Sequence, residues 1–255
     1  MGVAIVTGAS SGMGREFARA LATRSDVDEV WVVARRVDRL EALAAELSVP
    51  TRVIVADLSC DEGLAVIRAA LDENNPQVDY LVNAAGLGKV GSYATVSATD
   101  AASMIDVNCR AAVLLTQMVI PYMIRGSHIL EVVSCASFLP LPHLNVYAAS
   151  KAFMQSYTRG LRWELRGAGI CATAICPFWV RTEFVEVAQR TEGARDVRHF
   201  PFAQRPQTVV RRGLLANRLH FAVACCGVAS FFLRVAGKFI PWCVDIAGWE
   251  LLRRV

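Results

Sequence analysis

A phenol and an ammonium stand four residues apart in Tyr147-Ala148-Ala149-Ser150-Lys151, which places them on one face if the segment is helical. A free phenol titrates at about pH 10, too high for ready proton exchange at neutral pH. An ammonium beside it favours the phenolate and brings it toward the range of a general acid or base. Such a pair would pass a proton to or from an oxygen atom, and a hydroxyl able to hold that oxygen stands at Ser134, where an apolar run ends upstream. Ser137 is a second serine nearby, in a register that suits the role less well.

A second chemical feature precedes it. Thr7-Gly8-Ala9-Ser10-Ser11-Gly12-Met13-Gly14 follows the first apolar run and opens a helical pattern from Arg15. Glycines here allow a tight turn and let backbone N–H groups approach a pyrophosphate at the helix N-terminus. At the end of the second apolar run, where an acid would hold a ribose 2′-hydroxyl, the chain reads Ala34-Arg35-Arg36. Two guanidiniums there suit a 2′-phosphate, so NADP(H) is expected in preference to NAD(H). The alternative, two solvated arginines opening a helix, sets cations against the helix dipole.

These groups need a scaffold, and the hydropathy pattern supplies one. Short apolar runs at residues 3–7, 29–34, 52–56, 78–82, 129–133, 171–176 and 219–225 read as strands buried on both faces. Amphipathic stretches at 36–47, 61–71, 101–123 and 146–166 read as the helices between them. Alternation at this spacing predicts a single α/β domain over residues 1–255, a doubly wound Rossmann-type fold with a seven-stranded parallel sheet. Residues 183–206 are polar and rich in arginine, as a substrate lid would be. Residues 227–255 turn apolar, with Val228, Phe231, Phe232, Val235, Phe239, Ile240, Trp242, Val244, Ile246, Trp249 and Leu252 interrupted by Arg234, Lys238 and Asp245 and broken by Pro241. Two short helices are expected there, as an extension that closes the core or a subunit interface, or that faces a membrane surface or a lipophilic substrate.

Composition excludes several classes. Hydrophobic residues make up 54% of the 255 and charged residues 20%, enough for a large core and incompatible with disorder. Net charge is +4, with no basic run longer than a pair, so no nucleic-acid partner is expected. Only Lys89, Lys151 and Lys238 are lysines. The eight cysteines form no C-x-x-C pair and mostly lie in apolar runs, which predicts buried thiols in a reducing compartment and no metal site. With a strand pattern from Val3 and no signal-like leader, a cytoplasmic chain is expected, with membrane-peripheral attachment as the variant.

Taken together, these residues resemble the short-chain dehydrogenase/reductase family over nearly the whole chain. The resemblance rests on Thr7–Gly14, on Asp57-Leu58, on Asn83-Ala84-Ala85-Gly86, on Asn108, on Ser134, and on Tyr147 with Lys151, in family order. It implies Tyr147 as general acid in reduction and base in oxidation, with Lys151 lowering its pKa and binding the nicotinamide ribose. Ser134 would polarise the carbonyl, and Asn108 would hold a water relaying protons from Lys151. Gly8, Ser10, Ser11, Gly12, Met13 and Gly14 would surround the pyrophosphate and adenosine ribose, Arg35 and Arg36 the 2′-phosphate, and Asp57 and Leu58 the adenine. Asn83, Ala84, Gly86, Pro177 and Thr182 complete the implied cofactor set. One departure is plain: Phe178 follows Pro177 where the family has glycine.

The residues expected beside the carbonyl are apolar: Phe138, Leu144, Phe178, Trp179 and Phe184, with His143 and Lys89 as exceptions. They suggest a lipophilic ketone or secondary alcohol. The tail further resembles the branch of 17β-hydroxysteroid dehydrogenases and 3-ketoacyl reductases. That implies an NADP(H)-dependent oxidoreductase, a hydroxysteroid dehydrogenase or else a 3-ketoacyl or other lipid carbonyl reductase at a membrane surface. A non-catalytic NADP(H)-binding sensor is the rival from another class. By the same resemblance the chain is expected to form a homodimer or homotetramer.

Overall fold

The computed structural model describes residues 2–191, 197 and 203–253. Seven parallel strands form one sheet: β1 (Gly2–Thr7), β2 (Glu29–Ala34), β3 (Thr51–Val55), β4 (Gln77–Asn83), β5 (Met123–Val132), β6 (Cys171–Cys176) and β7 (Val223–Cys225), in the order β3-β2-β1-β4-β5-β6-β7. The order reverses between β1 and β4, the switch point at which a doubly wound sheet opens a crevice beyond its strand ends.

Side-chain alternation divides the core into two layers. Ala4, Val6, Val30, Val32 and Leu130 pack with Phe17 and Leu21 of α1 (Gly12–Ala22), Leu40 and Leu43 of α2 (Val37–Glu46), and Val209 and Val210 of α8 (Pro206–Arg218). Val3, Ile5, Trp31, Val33 and Ile129 face the other way, onto Ile67 and Leu71 of α3 (Asp61–Asn74), Leu115 of α5 (Ala112–Val119) and Leu161 of α6 (Asn145–Glu164).

Three segments differ from expectation. The helix expected at 101–123 is a helical run over Ala98–Tyr122 built from α4 (Ala98–Ile105), a π-helical segment Asp106–Ala111, α5 and a short 3-10 turn. Its apolar length would reach across a bilayer, but half of it is buried in the fold. Strand β5 starts six residues early at Met123, with a register break against β4 and Gly126 at φ +96°. The last strand is only Val223–Cys225, because Pro206 starts a helix that runs to Arg218 and His220 turns the chain at φ +57°. Leu219 and Phe221, which made the expected strand look longer, lie exposed in this turn.

Of the expected lid, α7 (Glu183–Ala188) is helical, whereas residues 192–196 and 198–202 lie outside the described residues. The C-terminal extension forms the two expected helices, α9 (Val228–Phe239) and α10 (Trp242–Leu252), parted at Pro241. Four cysteines are buried, three are half-buried, and Cys243 is exposed, against the expectation of buried thiols; all eight are free.

Candidate active site

Strand β5 ends beside Ser134, whose Oγ caps a 3-10 turn over Cys135–Phe138 by accepting from the Ala136 N–H at 3.1 Å. The same turn is tied to β6 through the Cys135 N–H, which donates to the Pro177 carbonyl at 2.8 Å. Helix α6 begins ten residues past that turn's first residue and carries Tyr147 and Lys151 one turn apart, both buried. The Ser134 hydroxyl stands close enough to Tyr147 to draw its phenol's pKa down. Lys151 Nζ donates to the Val132 carbonyl at 2.9 Å and lies 5.8 Å from the centroid of the Tyr147 ring.

The electrostatics differ from the expected ones. Burial pushes the Tyr147 phenol up, with the nearby Ser134 hydroxyl opposing it. Burial also brings Lys151 down to about 8, against the attraction of Glu131. An ammonium aimed at a backbone carbonyl does not depress the phenol here, and Tyr147 keeps its proton at neutral pH.

Asn108 sits in the π-helical segment, where one extra residue in the turn points its amide inward. Its Oδ1 accepts from the Leu87 N–H and its Nδ2 donates to the Leu87 carbonyl, both at 2.8 Å; Nδ2 also reaches Ser150 Oγ at 3.0 Å. A Cβ on Gly86 would stand 3.4 Å from Asn108 Oδ1 and 3.5 Å from Lys151 Nζ. The structure therefore brings Asn108, Ser134, Tyr147 and Lys151 into one neighbourhood. Ser137 is not part of it: its Oγ donates to the Ser134 carbonyl at 2.6 Å and holds the turn.

The expected cofactor residues line the crevice next to this site. Gly8 and Gly12 adopt φ of +65° and +54°, which side chains rarely tolerate, and a Cβ on Gly14 would lie 2.4 Å from the Gly8 carbonyl oxygen. Ser11 is the N-cap of α1 yet gives its N–H groups no side-chain bond, and Met13 packs on the core beneath. Thr7 Oγ1 accepts from the Ala84 and Ala85 N–H groups at 3.0 and 3.1 Å, locking the glycine turn to the end of β4. Thr182 faces Gly12, its methyl 3.1 Å from where a Cβ would sit. Arg36 donates to Ser10 Oγ at 3.0 and 3.2 Å, and Arg35 lies mostly exposed, 3.6 Å from Asp57. Asp57 itself accepts from the Ser59 N–H and Oγ, and Leu58 is buried.

Asn83 is the exception among these. Its side chain turns inward, donating to Glu131 Oε1 at 2.7 Å and Thr116 Oγ1 at 2.9 Å, so only its backbone is left for the crevice. A buried carboxylate draws the amide more strongly than a solvated groove does.

The expected substrate wall divides in two. Leu144, Trp179 and Phe184 gather with Tyr147, Leu141 and Val90, and the Phe184 ring lies 5.5 Å from the phenol. Phe178 meets Trp179 edge-on at 5.9 Å. Phe138 packs instead with Met154, Cys176 and Val223. Lys89 is paired with Asp100, and His143 Nε2 lies 4.0 Å from Glu250 of α10.

Sequence reasoning missed three groups. Glu183 holds Arg36 at 2.9 Å and also Arg39, an anion seated where the arginines were expected to take one. Trp249 of α10 donates to the Pro142 carbonyl at 2.8 Å and packs on the Tyr147 cluster. Glu131 was visible as a lone charge inside an apolar strand, but nothing in its spacing named its partners.

The crevice fits a dinucleotide phosphate: its turn leaves no room for Cβ atoms, its helix N-terminus is unused by side chains, and its arginines already hold a carboxylate. Comparison with known proteins agrees. The family model for short chain dehydrogenase matches residues 2–193. Sulfoacetaldehyde reductase 2 of Chromohalobacter salexigens is 38% identical over 200 residues, 75% of this chain and 77% of that protein. Serine 3-dehydrogenase of Agrobacterium fabrum is 36% identical over 200 residues, 76% of this chain and 78% of that protein. Among solved structures, a short-chain dehydrogenase from Sphingobium yanoikuyae in complex with NADPH superposes with a TM-score of 0.80, at 27% identity and 96% coverage of both chains.

Proposed function

The chain belongs to the short-chain dehydrogenase family, and on that premise we propose that it interconverts a lipophilic ketone and a secondary alcohol with NADP(H). As a member of that family it is an oxidoreductase of alcohol and carbonyl groups. The observation that carries the reading is the buried Tyr147 phenol beside the Ser134 hydroxyl, with Lys151 fixed behind it and an apolar cluster over it. When bound, the nicotinamide supplies or accepts the hydride.

The protein's part is to hold the carbonyl and deliver the proton. Ser134 Oγ and the Tyr147 phenol together make a two-donor site for a carbonyl oxygen. Burial keeps the phenol protonated, which suits Tyr147 to donate as the carbonyl oxygen gains charge in reduction and to take the proton back in oxidation. Lys151, at about 8, carries its charge at neutral pH and would recharge the phenol. Asn108 fixes the Leu87 backbone and leaves one Oδ1 lone pair toward the space that Lys151 also approaches, a suitable relay position. Gly8, Gly12 and Gly14 would hold the pyrophosphate, and Arg36, on Ser10, the 2′-phosphate.

Leu144, Trp179 and Phe184 support an apolar substrate; a hydroxysteroid or a 3-ketoacyl chain would each satisfy them. The test is a titration with NADPH and NADH, followed by turnover on a panel of steroid and acyl ketones for the wild type and Tyr147→Phe. Tighter NADPH binding is expected. The variant should keep that binding and lose about 10²–10⁴ in kcat. Full turnover by Tyr147→Phe would remove the proposal.

A further inference from the structure

Helix α9 is amphipathic the wrong way round for a surface helix. Its inner face is made of small residues: Ser230 is buried and donates to the Cys176 carbonyl, and Gly237 lies so close to the Cys135–Phe138 turn that a Cβ would come 2.3 Å from the Phe138 oxygen. Its outer face carries Phe231, Phe232, Val235 and Phe239, recurring at helical spacing. Phe239 is 79% exposed, and the apolar surface continues past Pro241 into Trp242, which is 68% exposed. An apolar stripe of this size on the solvent side marks a contact surface.

The charges choose the occupant. Lys238 is exposed within the stripe and Arg234 flanks it, and neither has an ion-pair partner among the described residues. No exposed acid lies on either helix among the described residues: Asp245 is half-buried, and Glu250 is engaged with Arg253. In a two-fold dimer the same patch would meet itself, setting uncompensated cations against one another. A bilayer bearing anionic lipid neutralises them, takes the phenylalanines into its acyl boundary and suits a tryptophan at the headgroup level.

We infer that α9 and the start of α10 dock the enzyme on an anionic lipid surface. The docking face stands beside the active site. Helix α9 rests on the turn that follows Ser134, and Trp249 of α10 packs on the Tyr147 cluster. Bound this way, the site mouth lies close to a phase in which lipophilic carbonyls dissolve. The inference does not depend on the reaction proposed above, since its test reads vesicle binding and no turnover.

The full-length protein is mixed with phosphatidylcholine vesicles, with and without phosphatidylglycerol, and sedimented; its mass in solution is measured in parallel. Wild type should pellet with the phosphatidylglycerol vesicles. Lys238→Glu should weaken that binding about tenfold, and Phe239→Ser with Trp242→Ser should abolish it, with circular-dichroism melts confirming that the variants fold. Three results overturn the inference: wild type that stays in solution with the anionic vesicles, serine variants that bind as wild type does, or a wild-type dimer that Phe239→Ser converts to monomers in the absence of lipid.

Discussion

At the scale of single residues, Glu131 is the group whose setting departs most from its sequence surroundings. It lies buried on β5 among Asn83, Thr116 and Lys151, and burial raises its carboxyl to about 7, with the Asn83 and Thr116 hydrogen bonds and the Lys151 charge pulling the other way. An unfolded glutamate titrates at about 4.5. The folded chain therefore holds this proton more tightly than the unfolded one. The resulting stability is complete below pH 4.5 and is lost as pH rises through about 7. Thermal melts between pH 4.5 and 7.5 should show wild type losing on the order of 3 kcal/mol from this group. Glu131→Gln should flatten that slope, because the amide carries no titrating proton yet keeps an oxygen to accept from Asn83 and Thr116. A slope unchanged in the variant would assign the pH dependence to other groups. Tyr147 and Lys151 were legible because four residues make one helical turn; the reach of Glu131 to Asn83 was not, because it depends on two neighbouring strands meeting in register.

At the scale of elements, the strands were readable and the helix termini and irregularities were not. Continuous apolar runs locate parallel strands because both faces are covered. The π-helical segment around Asn108 leaves the apolar periodicity of Ala98–Tyr122 nearly intact, so only the packed structure reveals it. The short β7 was overread for the opposite reason: Leu219 and Phe221 are apolar, yet they belong to a turn. Helix α9 carries the clearest consequence for catalysis. Gly237 lies against the backbone of the turn beginning at Cys135, and its lack of a Cβ sets how closely the helix supports that turn beside Ser134. Gly237→Ala should lift α9, cost about 1–3 kcal/mol in melts, and lower kcat while leaving NADPH binding as it was. If kcat held steady while the melt fell, the helix would be packing alone, without bearing on the carbonyl site.

At the scale of the whole molecule, the site draws on both halves of the sheet: the turn after β1 and the arginines after β2 on one side, and Ser134, α6 and the segment after β6 on the other. The motif order along the chain announced that convergence. It did not announce the link between Arg36 and Glu183, which are 147 positions apart. That link has a kinetic corollary. A 2′-phosphate and the Glu183 carboxylate would compete for one set of guanidiniums, and each exposed ion pair holds only about 0–1 kcal/mol against a dianion. Phe184, the next residue, lies against the Tyr147 ring. Releasing Glu183 thereby also loosens the aromatic cover on the acid. Steady-state kinetics should accordingly follow a compulsory order, with NADPH first, NADP+ competing with it and the alcohol product not. Glu183→Gln should relax that order toward random addition. The discrimination between two nucleotides and the schedule of arrivals at the active site would then be one property, decided by which anion the arginines hold.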